Sequence, residues 1–85
     1  MKETIIKIKH FEYLKIRYLV ILHSNSLEVY TTENLELVQR FWFPKTKLLN
    51  VYFLPTKQTL LVLSELHLFF YSFTFTRLST IKSAY

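Results

Sequence analysis

Eighty-five residues make at most one small domain, which buries only about 60% of the surface its unfolded chain exposes. Apolar residues are 51% of the chain and aromatics 18%, which argues against a disordered segment. There is no cysteine, so neither a disulfide framework nor a thiolate metal site can form, and the formal charge of +5 favours encounters with anionic partners.

Short segments with period-2 alternation and β-branched or aromatic residues follow one another along the chain, separated by polar turns. The first four predicted strands are Thr4–Phe11, Arg17–His23, Ser26–Thr31 and Leu35–Phe41. Charges at Lys2, Glu3, Lys7 and Lys9 leave no continuous apolar core, so the N-terminus does not read as a signal peptide. Turns are predicted at Ser24-Asn25, Thr32–Asn34, Pro44–Thr46 and Pro55–Lys57. With no glycine in the chain, Asn25 and Asn34 are the expected carriers of positive φ. The next four strands are Lys47–Leu54, Thr59–Ser64, Leu66–Phe73 and Thr76–Ile81. No segment shows a sustained 3.6-residue stripe behind a helix cap. The expectation is all-β: two four-stranded antiparallel meanders.

A repeat supports that division. Leu19, Leu22, Leu27, Tyr30 and Leu37 fall on Leu60, Leu63, Leu68, Tyr71 and Leu78 at a spacing of 41 residues. Upstream, Ile5–Ile8 falls on Leu48–Val51 at a spacing of 43. A period near 40 holding about four short strands is typical of a β-propeller blade. Within the second unit, Phe53, Pro55, Leu60–Ser64, Glu65, Leu68, Phe70 and Tyr71 follow the order of a WD repeat. That order is a strand ending in Phe-x-Pro, a buried strand ending in Ser, an acidic turn and a strand ending in an aromatic. In the first unit, Leu19–Leu22, Ser24–Ser26, Leu27, Val29 and Tyr30 occupy the same places. The chain thus resembles two blades of a degenerate WD-repeat β-propeller. The Trp-Asp pair of that family is replaced by Tyr30-Thr31 and Tyr71-Ser72, and its Gly-His pair is missing. The resemblance implies a single domain or propeller fragment over residues 1–85, with one unit at about 4–43 and the other at about 47–82.

Both faces of the second unit read as apolar, because Leu66, Leu68 and Phe70 alternate with His67, Phe69, Tyr71 and Phe73. The first unit can cover only one face, so further blades, a second copy or a partner is expected on the other. In the first unit Glu28 replaces Phe69, which predicts a solvent-facing position there.

Catalysis has little support. Without Asp or Cys, the usual nucleophile triads cannot assemble, although Glu could replace Asp. His10, His23 and His67 lie in different strands without metal-ligand spacing, and Glu28, Glu33 and Glu36 read as a solvated strand. Neither enzyme chemistry, a cofactor nor a metal is expected. The resemblance places Trp42 on a rim with the turns at Ser24–Ser26 and Ser64–Leu66, where such proteins commonly hold partners. Trp42, Phe43, Lys45, Asn25 and Glu65 are therefore the candidate partner-binding residues, with a core role for Trp42 as the competing reading. The expected function is a non-catalytic protein–protein interaction scaffold in an intracellular, cytoplasmic setting. Two alternatives come from other classes. One is a small basic membrane-associated protein, suggested by Leu48–Phe75 with only Lys57 and Glu65 charged; Pro55 and these charges leave no run of about 18 uncharged residues. The other is a nucleic-acid-binding β module, suggested by Lys7, Lys9 and the Arg40–Lys45 segment, although edge strands carry Lys for solubility as well.

Overall fold

The computed structural model describes residues 4–72 and the backbone of residues 77–82. Eight strands form: β1 (Ile5–Tyr13), β2 (Ile16–His23), β3 (Ser26–Thr31), β4 (Leu37–Trp42), β5 (Leu48–Leu54), β6 (Thr59–Ser64), β7 (His67–Ser72) and β8 (Arg77–Lys82). They make two four-stranded antiparallel meanders, β1-β2-β3-β4 and β5-β6-β7-β8. The all-β expectation holds, and the strand bounds shift by only a few residues. Phe73 and Thr76, assigned to strands from their alternation, lie outside the described residues.

The turn chemistry differs from expectation. Positive φ falls on Leu14 (52°), Lys15 (65°), Leu35 (53°) and Gln58 (49°), not on Asn25 or Asn34. Leu14 and Lys15 form a two-residue hairpin turn with both φ positive, the sense that matches the right-handed twist of the flanking strands. The cost of placing β-carbon-bearing residues there is on the order of 1 kcal/mol each, offset by long ladders on either side. Leu35, left-handed, cannot extend β4, so that strand begins at Leu37 rather than at residue 35. The amide of Thr31 donates to the Glu36 carbonyl at 2.9 Å and closes this loop.

The two sheets match pair for pair. Val20–Val29, Ile21–Glu28 and Leu22–Leu27 in the first sheet correspond to Leu61–Phe70, Val62–Phe69 and Leu63–Leu68 in the second. The β1–β2 ladder breaks register between Ile5 and Lys7, and β5–β6 does so at the equivalent Leu48 and Asn50. Irregularities between Val29 and Tyr30 and between Phe70 and Tyr71 also correspond. Only the fourth strand departs from the spacing read in the sequence. Tyr30 pairs with Leu37 and Tyr71 with Arg77, so Leu37 matches Arg77 rather than Leu78. The second unit has one residue fewer in that connection.

One face of each sheet makes the core. Val20, Leu22, Leu27 and Val29 pack against Val51, Leu60, Val62, Phe69 and Tyr71, with Leu48 and Phe43 closing one end. Cross-sheet rings reinforce the contact: Phe11 lies 4.7 Å from Phe53, and Phe41 lies 4.5 Å from Tyr71. The sheets approach most closely where β1 and β2 meet β5. The packing is front to back. In the repeat, the covered Val20, Leu22, Leu27 and Val29 correspond to Leu61, Leu63, Leu68 and Phe70, on the other side of the second sheet. These four stay outside the core cluster and keep solvent contact.

Candidate functional site: a stitched rim

Three connections come together at one end of the two sheets. The amide of Phe43 donates to the Asn25 carbonyl at 2.8 Å, and that of Leu48 donates to Ser24 at 2.8 Å. The amide of Glu65 donates to the Lys47 carbonyl at 3.0 Å. Asn25 adds its side chain, whose Nδ2 donates to the carbonyls of Thr46 (3.0 Å) and Phe43 (3.3 Å). An amide is well suited here, because its two donor hydrogens satisfy two loop carbonyls at once. Ser64, fully buried, holds the third connection: its Oγ accepts from the His67 amide at 2.8 Å and donates to the His67 carbonyl at 3.0 Å.

These bonds bring four of the five candidate residues to one rim and turn the fifth inward. Trp42 is 58% exposed, which removes the core reading for it. The Arg40 guanidinium lies 4.5 Å from its ring, a cation–π contact that orients the indole. Lys45 and Glu65 are exposed, and Asn25 is half-buried as the stitch. Phe43, at 6% exposure, packs at 4.9 Å from Phe69 and supports the rim from below. The alternation carries the reason, since Phe41 and Phe43 share the covered side while Trp42 points away. Exposed Pro44, Lys47 and Leu66 extend the patch.

A polar cluster on the free face of the first sheet had no counterpart in the sequence reading. Glu28 Oε1 lies 2.8 Å from His23 Nε2, and Oε2 lies 3.5 Å from Arg40 Nε. Tyr30 joins the cluster: burial chiefly, then the Glu28 charge and a hydrogen bond to it, raise its pKa against the opposing pull of Arg40. The solvent-facing expectation for Glu28 is thus corrected to a half-buried, ion-paired carboxylate. The signal was present in the Glu28–Arg40 cross-strand pair, which becomes visible only once the β3–β4 register is known.

The sequence pattern puts Lys9 with Lys7 on one basic strand face. Instead Lys9 Nζ donates to the Val51 carbonyl at 2.7 Å and lies 4.5 Å from the Tyr52 ring centroid. Burial first and Lys7 second lower its pKa. It therefore serves the contact between sheets. At the opposite rim, a shallow cleft of about 350 Å³ is walled by Lys15, Arg17, Glu33 and Glu36 among others, charges of both signs with no nucleophile–base pair. Among the described residues, no three His, Cys, Asp or Glu are placed to hold a metal ion, and no helix is long and apolar enough to cross a membrane. The chain matches no protein-family model, no curated protein and no solved structure.

Proposed function

We propose that the chain is a non-catalytic protein–protein interaction scaffold, built as two blades of a WD-like β-propeller and binding a protein partner through its stitched rim. The observation that carries this reading is the pair-for-pair repetition of the two sheets, including both ladder irregularities, together with their front-to-back packing. Blades of a propeller succeed one another in that sense around an axis. Closest approach along β1, β2 and β5 fits sheets that converge on their first strands. The rim adds what a partner surface needs: an exposed, oriented Trp42 among Pro44, Leu66, two lysines and Glu65 on a hydrogen-bonded base.

Trp42→Ala is expected to weaken partner capture by about 2 kcal/mol or more, the scale of an aromatic anchor. The comparison is a pull-down from native extract with wild type, Trp42→Ala and Leu14→Ala, the last altering an exposed leucine at the opposite rim. A specific band lost only with Trp42→Ala supports the rim. Equal retention by all three chains removes Trp42 from the site.

A further inference from the structure

Each free face of this chain is the repeat equivalent of a face that the chain itself covers. On the second sheet, Leu61, Leu63, Leu68 and Phe70 match the covered Val20, Leu22, Leu27 and Val29. On the first sheet, Ile8, Leu19, Ile21 and Tyr30 match the covered Val51, Leu60, Val62 and Tyr71. The internal contact therefore states what the free second-sheet face fits, namely the free first-sheet face of another such unit. We propose that a second copy of this chain supplies it, so that copies assemble head to tail by continuing the internal packing. This rests on the scaffold reading above and names its first partner.

Chemistry on both faces allows the contact. Leu61, Leu63, Leu68 and Phe70 bring no charge. Two carboxylates lie on the opposing face, Glu28 paired with His23 and Arg40 and Glu12 paired with Arg17, so covering them strands no lone charge. Tyr52 occupies the place of Lys9, and Ile8 that of Val51. Tyr52 Oη accepts from Asn50 Nδ2 at 2.8 Å, which leaves its own hydrogen to donate. In the assembly it donates to the Ile8 carbonyl of the next copy, as Lys9 Nζ donates to the Val51 carbonyl within the chain.

Area favours use of both faces. Four strands about 4.8 Å apart and six residues at about 3.4 Å make a face of roughly 400 Å² in projection. Each contact buries one such face per partner, about half the roughly 800 Å² per partner of a standard interface, and a copy with neighbours on both sides buries two. A contact between unlike faces closes into a ring or runs on as a filament.

The test uses Ile8→Glu and Tyr52→Glu, at positions 59% and 41% exposed, with circular dichroism to confirm the β fold of each. Each variant alone is expected to sediment as a single chain of 10.3 kDa while the wild type associates. An equimolar mixture of the two should form a two-chain species, because one intact Ile8 face then meets one intact Tyr52 face. Ile8→Glu associating as the wild type does would show like faces meeting and overturn the head-to-tail contact, as would a mixture that stays monomeric. Should Tyr52→Glu unfold, Leu61→Glu, opposite Tyr52 on the same face, takes its place in the same mixture. None of these changes touches the rim. Loss of head-to-tail pairing with Trp42-dependent capture intact sinks this inference alone; the reverse result sinks the rim.

Discussion

Phe69→Glu is expected to unfold the chain at room temperature. Phe69 is 7% exposed on β7, with its ring 4.9 Å from Phe43 and 5.5 Å from His67. Removing the ring costs about 3–5 kcal/mol in lost burial and residual cavity. A carboxylate in its place, set among the apolar side chains of the described core, adds about 1–3 kcal/mol more even as a neutral polar group. Small domains hold roughly 5–15 kcal/mol in all, and one of this length belongs at the lower end. The equivalent position in the first sheet sets the contrast. Glu28→Phe leaves His23 and Arg40 without their shared carboxylate, at a cost of about 1–2 kcal/mol, but keeps the core intact. Urea titrations of both variants check the pair. Similar midpoints would mean that the face assignment of the two sheets is wrong.

Adjacent aromatics at the rim should behave oppositely. Phe43→Ala is expected to lose about 3–5 kcal/mol of stability, since its ring bridges Phe41, Phe69 and Tyr71 under the connection between sheets. Trp42→Ala removes a larger side chain, yet should cost under about 1 kcal/mol. The indole is mostly solvent-exposed, and its contact to Arg40 is worth only about 0.5–1 kcal/mol at such a site. Thermal melts of the two proteins decide it. A melting point for Trp42→Ala as low as that of Phe43→Ala would place the indole in the core and withdraw it as an anchor.

Much of the fold was legible from the amino-acid pattern because period 2 forces it. Val20, Leu22, Leu27 and Val29 cannot share a face in a helix, and their ungapped match to Leu61, Leu63, Leu68 and Phe70 fixes two equivalent hairpins. Turn geometry was less legible. Asn25 carried the signature of a left-handed turn residue, but its amide is used to bind the Thr46 and Phe43 carbonyls, while Leu14 and Lys15 take positive φ because their ladder demands it. The fourth-strand offset was hidden because Leu78 offered a more attractive partner for Leu37 than the Arg77 that register assigns. Of the site, the rim was readable as a set of turns, but not the inward turn of Phe43 or the Glu28–His23–Arg40 cluster. Both depend on which strands lie side by side, and no single segment of sequence states that.

The most direct test of the scaffold reading is the mass of the intact chain in solution. Both sheets keep a face outside the core, and the second presents Leu61, Leu63, Leu68 and Phe70 together, the kind of surface that associates. Sedimentation across the micromolar range, on protein whose far-ultraviolet spectrum is β-rich, should give a mass that rises above 10.3 kDa with concentration or a chain that copurifies with a partner. A folded protein that remains at 10.3 kDa throughout, with nothing bound, would contradict it.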